Sequence, residues 1–320
     1  RQVVTKVLTR VGGDTQAKAE LIAIGFGVAH LEQVLDRLGR DRDDLLAIGR
    51  AVGLAGRGFE RTHGREATVA WVNGLIELDE RLERLHDDAD RIARSAETGD
   101  LAAPVAGCPG WDLRQLVVHT GFVHRWATQA LRQVAAPDVR AISEPAPDAS
   151  GAELGAWMRL GAGVLADVLA ITPLDAPTWH PFPAEQLAWV WSRRQMIETA
   201  IHRWDAEMAA HGTSSLDPRL GVAAIDEFFS MLLPRGLERA GVPTPTTSLH
   251  VHCTDGAGEW IVWNEDGAYR MEPEHRTGDA ALRGAAADLL LVLMGRVDRS
   301  TVETIGSFEA AAAWLDLQGL

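Results

Sequence analysis

The pattern of apolar and polar positions divides the chain into a long helical part and a short mixed one. Apolar residues at helical spacing (Leu21, Ile24, Val28, Leu31, Leu35, Leu38) predict a helix over Ala17–Leu38 that ends at Gly39. A shorter helix over about Asp43–Leu54 follows, and Gly53, Gly56, Gly58 and Gly64 then loosen the chain. These glycines follow no predicted strand, so they do not read as a phosphate-binding loop. From Ala67 to about Ala96, Leu75, Leu78, Leu82, Leu85, Ala89 and Ile92 line one face, and charged residues fill a solvated one. Further helices are predicted over 112–134, 151–170 and 184–211, and from Asp217-Pro218 to about Ala240. Asp112 followed by Gln115 is a capping-box pattern that fixes the start of the first of these.

The period changes after the Pro- and Thr-rich stretch 241–247, which reads as a linker. Leu249, Val251 and Cys253 alternate with His250 and His252, as a half-buried strand requires. Glu259–Asn264 and Ala268–Glu272 complete a three-strand meander turned at Asp266-Gly267. Gly278–Arg296 is predicted as a helix, Val302–Ile305 as a fourth strand and Phe308–Leu317 as the last helix. The fold class expected is α + (α+β). A helical N-terminal module spans 1–70, a helical bundle spans 71–242, and a small sandwich-like α+β domain spans 243–320.

Composition narrows the function. The formal net charge is -14 and no Lys/Arg-rich run occurs, which argues against a nucleic-acid partner because phosphate contacts need a basic face. Lys6 and Lys18 are the only lysines, and this arginine bias fits a GC-rich bacterial genome. Cys108 and Cys253 lie far apart and match no metal or redox spacing, so a reducing cytoplasm is the expected compartment. The longest apolar runs, such as Ala285–Met294 (interrupted by Asp288), are too short to span a bilayer, and no secretory signal pattern opens the chain.

The candidate chemistry centres on WSRRQMIETAIHRWDAE at 191–207 and an earlier echo, HTGFVHRW, at 119–126. Glu198 and His202 are four apart and project from one helix face, which makes half of a metal site. His119 or His124 can supply another ligand, but they are about 140° apart around their helix and cannot both face one ion. Spacing alone does not choose between them. Zinc suits such N/O donors, and a bundle core is a usual place for them. Asp205 either hydrogen-bonds His202 from behind or pairs with Arg203 or another neighbour. Cys108 has no arranged base in view and reads as a buried loop anchor; His250 and His252 share one strand face that could bind metal in principle, with a solvated face as the plainer reading. Trp189, Trp191 and Trp204 read as core or pocket wall.

The run CPGWDLRQLVVHTGFVHRW, followed some seventy residues later by RRQMIETAIHRWDAE, resembles the mycothiol-dependent maleylpyruvate isomerase family, within the wider DinB-like metalloenzyme bundles. The resemblance covers roughly residues 75–240. It extends into the C-terminal domain, where GDAALRGAAADLLLVLMGR is similar to the family's sterol-carrier-like cap. Residues 1–70 lie outside it and form an appended module. The resemblance implies His119, Glu198 and His202 as metal ligands and so prefers His119 to His124. It implies Arg296 as the cap arginine that reaches the active site. A C-terminal helix residue complementing its helix dipole is the plainer reading of Arg296.

Two neutral imidazoles and one carboxylate leave a zinc ion able to lower a thiol's pKa, and a thiolate at neutral pH attacks electrophilic alkenes. The resemblance implies mycothiol as that low-molecular-weight thiol. The expected function is therefore a zinc-dependent, mycothiol-using cis–trans isomerase or S-transferase acting on a small electrophile. The alternatives are a metal-dependent hydrolase or lyase on the same bundle, or a binding protein that keeps the fold. Residues 1–70 would then serve for self-association or for contact with a partner.

Overall fold

A computed structural model describes residues 76–318. The predicted helices at 17–38 and 43–54, the module over 1–70 and the first part of the 67–96 helix lie outside the described residues. Four helices form a bundle: α1 (Leu78–Thr98), α2 (Leu113–Gln133), α3 (Gly151–Ile171) and α4 (Ala188–His211). α1 packs on α3 and α4, and α2 packs on the same two. The capping box is present at Asp112 and Gln115, and Ser150 with Glu153 makes a second at the start of α3. Two of the four helices thus begin where their side chains satisfy the free N–H groups. α3 meets the length and composition of a bilayer-crossing helix, contrary to the sequence expectation. Here its apolar residues Leu154, Met158 and Leu165 are buried in the bundle core.

α4 is buried around nearly its whole circumference from Ala188 to Ala206. Charge cannot sit there unpaired, so Arg193, Glu198, His202, Arg203 and Asp205 each carry partners. This is what places a polar site inside an apolar bundle. The next helix is not continuous. α5 (Pro218–Glu227) passes through a π-helical turn over Phe228–Leu232 into α6 (Leu233–Ala240). Pro234 has no N–H to donate to the Ser230 carbonyl, and the chain widens to accommodate it.

The C-terminal region holds a five-stranded sheet in the order β3-β2-β1-β4-β5, with β1 (Leu249–Cys253), β2 (Glu259–Glu265), β3 (Ala268–Glu272), β4 (Ala280–Gly284) and β5 (Glu303–Gly306). β1 and β4 pair in parallel, and the other pairs are antiparallel. β4 corrects the sequence reading, which gave one helix over 278–296. Ala280 and Leu282 point inward beside β1, and only Ala286–Leu293 is helical, as α7. An alanine- and leucine-rich run carries no period that separates a short buried strand from a helix. α8 (Phe308–Leu315) closes the fold.

One apolar cluster joins Leu249, Val251, Trp260 and Val262 of the sheet to Ile197, Ile201 and Trp204 of α4, so bundle and sheet share a core. α5 lies in the same cluster, against α7. A Cβ on Gly221 of α5 would stand 2.8 Å from the Ala286 carbonyl carbon, so only glycine permits this approach.

Candidate metal centre

α2 and α4 bring three expected donors together. His119 Nε2 lies 3.3 Å from Glu198 Oε1, and His202 Nε2 lies 3.2 Å from the same oxygen. The donor atoms of all three residues lie within 4.8 Å of one another. The two imidazoles meet edge to face, ring centroids 5.3 Å apart. His124 points elsewhere. It is fully buried between the helices, with Nε2 2.8 Å from Thr199 Oγ1.

The electrostatics leave lone pairs where a cation needs them. Burial, with the positive neighbours His202 and Arg194, pushes His119 down to about 4, so its ring is neutral at physiological pH. Burial also pulls His202 down. The Asp205 hydrogen bond, with Cys108 and the Asp205 charge, more than restores it, and the net shift is upward. His202 Nδ1 stands 3.1 Å from Asp205 Oδ2; with the proton on Nδ1, Nε2 faces Glu198 as a lone pair. Asp205, by accepting from Nδ1, makes Nε2 the more basic ring nitrogen, where a proton and a metal cation compete for one lone pair. The donor set of two imidazoles and a carboxylate fits a zinc-type ion with open positions.

Asp205 is the hinge of the surrounding network. Its side chain is fully buried, and Arg296 grips it with Nη2 at 2.8 Å and Nε at 2.9 Å. Burial raises the Asp205 carboxyl, but the His202 hydrogen bond and the Arg296 charge outweigh it and hold the group below the usual carboxylate range. Arg203 pairs instead with Asp88 and Glu207, so the alternative Asp205–Arg203 bridge does not form. Arg296 also donates to the Met294 carbonyl at 3.2 Å. Its contact with the site therefore runs through Asp205 and His202. Gly107 makes room for this clasp: a Cβ there would stand 2.3 Å from Asp205 Oδ1. Cys108 is half-buried, with Sγ 3.7 Å from Asp205 Oδ2, so it adds to the network as well as anchoring its loop.

Three neighbours escaped the sequence reading. Arg194 contacts Glu198 Oε2 and also Glu227 Oε1, at 2.7 Å, which offsets the negative charge of both. The Arg194–Glu198 spacing of four was a usable signal; Glu227, on another helix, gave none. Trp111 packs on His119 with ring centroids 4.7 Å apart, and it lies within the Cys-Pro-Gly-Trp run already singled out. Trp191 and Trp204, read from the sequence as core or pocket wall, lie in the apolar clusters.

Residues 82–207 match the family model described as the mycothiol maleylpyruvate isomerase N-terminal domain, and residues 219–313 match that of the MDMPI C-terminal domain. Among solved structures, a mycothiol-dependent maleylpyruvate isomerase is similar at 13% identity and TM-score 0.49. A histidine-to-alanine variant of that enzyme is similar at 11% identity and TM-score 0.51. Each comparison covers 72% of this chain and 93% of the other. The second likeness shows a shared fold. No curated protein matches the chain. With both domain models matched in order, the chain belongs to the mycothiol-dependent maleylpyruvate isomerase family.

Proposed function

We propose that this chain is a divalent-metal-dependent thiol enzyme, an isomerase or S-transferase that uses mycothiol against a small electrophilic alkene. The observation that carries the reading is the convergence of His119, Glu198 and His202 donor atoms within 4.8 Å, two of them on the buried helix α4. A zinc-type cation held there supplies one thing: it stabilises the thiolate form of a thiol near neutral pH.

The chain's own residues prepare the rest. Asp205 holds the His202 proton on Nδ1 and so keeps Nε2 turned to Glu198. Arg296, whose side chain is 7% exposed, fixes Asp205 from the cap side and acts as a positioning residue. Arg194 neutralises the distal oxygen of Glu198, and Trp111 shields one face of His119. In cis–trans isomerisation a thiolate adds to the alkene and forms a carbon–sulfur bond. The π electrons move onto the conjugated carbonyl, the new single bond rotates, and elimination returns the thiolate. In S-transfer the enolate instead takes up a proton, balancing the one the thiol gave up on ionising, and the adduct is kept.

Metal content and turnover of maleylpyruvate with and without mycothiol test the reading. The expected result is one metal equivalent lost in His202→Ala, together with a turnover that needs both metal and thiol. A stoichiometric metal with thiol-independent turnover of an ester or amide would replace the thiol reading with metal-assisted hydrolysis.

A further inference from the structure

The sheet carries a second convergence of imidazoles, well apart in sequence from the bundle residues. His250 and His252 lie on β1 and share the sheet face opposite the core residues Leu249, Val251 and Cys253. The register places His252 directly across from Glu259 of β2. His275, in the connection between β3 and β4, reaches back over this face, and its Nδ1 lies 2.9 Å from Glu259 Oε2. Arg276 beside it lies over the Trp263 ring, 4.5 Å from the centroid, which keeps the connection against the sheet. The donor atoms of His250, His252, Glu259 and His275 all lie within 4.8 Å of one another.

Hydrogen bonding alone leaves this cluster unbalanced. Glu259 is the only carboxylate among the four, and it meets His252 and His275 with its two oxygens. His250 is 6% exposed, and its Nε2 is buried without a hydrogen-bond partner. That nitrogen stands 3.9 Å from Glu259 Oε2, too far for a hydrogen bond. Two donors on one tetrahedral zinc-type ion stand about 3.4 Å apart, between the 2.9 Å and 3.9 Å found here.

We infer that His250, His252, Glu259 and His275 form a second metal site, a closed structural one that straps the β3–β4 connection onto the sheet. Three imidazole nitrogens and one carboxylate suit a borderline divalent cation of the zinc class. Magnesium and calcium take mainly oxygen donors, and monovalent copper prefers sulfur. With four protein donors no position remains for substrate, so the ion adds stability and not chemistry.

The test uses the tag-free full chain, stripped with a chelator and titrated with Zn2+ and with Co2+. Two equivalents are expected. His119→Ala with His202→Ala removes one, and His252→Asn with His275→Asn removes the other. In the His119→Ala/His202→Ala background, Co2+ should still give the strong visible bands of a tetrahedral site, and Zn2+ should slow amide exchange over 273–278. His275 is 74% exposed, so His275→Asn alone leaves the fold intact and should weaken this equivalent by about tenfold or more. Failure of that background to bind Co2+ overturns the inference, whatever the bundle does. So does a second equivalent that is indifferent to His275→Asn. Loss of the bundle equivalent alone overturns the proposed function and leaves this site standing.

Discussion

Asp205→Asn tests the clasp behind His202 most directly. The carboxylate accepts two hydrogen bonds from Arg296, at 2.8 Å and 2.9 Å, and faces His202 Nδ1 at 3.1 Å. Its side chain is fully buried and that of Arg296 nearly so, so water cannot replace what is lost. Hydrogen bonds to charged groups contribute about 1.5–3 kcal/mol each. The amide keeps one oxygen acceptor, and its NH2 opposes either Arg296 Nε alone, in place of Oδ1, or Arg296 Nη2 and His202 Nδ1 together, in place of Oδ2; the first orientation costs less. One bond is lost outright and the rest lose their charge, which gives a cost of about 2–3 kcal/mol in the metal-free protein. Asp205→Ala, which leaves the guanidinium without a partner, should cost about 3–5 kcal/mol. His202 then faces a neutral amide oxygen in place of the carboxylate that holds its Nδ1 proton, so affinity for the bundle metal should fall about 10–100-fold. Urea unfolding of the chelated protein measures the first effect, and competition titration with Zn2+ measures the second. A loss of stability with unchanged metal affinity would refute the positioning role. A change below about 1 kcal/mol would refute the electrostatic account of the clasp.

Gly107→Ala should reproduce part of that loss without touching a donor, because its Cβ would stand 2.3 Å from Asp205 Oδ1 and 3.0 Å from Arg296 Cγ; Zn2+ titration reads it. Asp226→Ala should destabilise by about 3–5 kcal/mol in urea unfolding. It removes the acceptor of Arg193, at 2.9 Å, and of the Trp260 indole N–H, at 3.1 Å, inside the shared core. His124 carries a pH dependence, since burial pushes its ring down to about 3, from 6.5. The unfolded chain therefore takes up this proton first as pH falls from about 6.5 towards 3, and the folded state loses stability through that window. Between pH 7 and pH 5 wild type should lose about 2 kcal/mol more than His124→Asn, measured by urea unfolding at both values.

The bundle was legible because its signals are local. Asp112–Gln115 marks a helix start within four residues, and the Glu198–His202 rung needs only helical geometry. Which histidine of α2 joins that rung was not legible from spacing. His119 and His124 face different neighbours, and the rotation that decides between them is set by packing on α4. Only the family resemblance preferred His119. β4 was missed because Ala280–Gly284 is as apolar and small as the helix that follows it. The sheet histidines were read as solvated because their partners arrive from a distance. Glu259 comes through strand register and His275 through the β3–β4 connection, and neither has a sequence spacing that announces it.

Helix α5 meets two different surfaces at once. Asp226 and Glu227, at its end, neutralise Arg193 and Arg194 of α4, while Gly221 lets its backbone lie against α7. Exchanging C-terminal halves between relatives is therefore a matter of matched charge as well as shape. A crossover placed in 212–217 carries the helix along with its sheet, and it yields a sound hybrid only where the recipient bundle brings its own pair of arginines to meet the incoming acids.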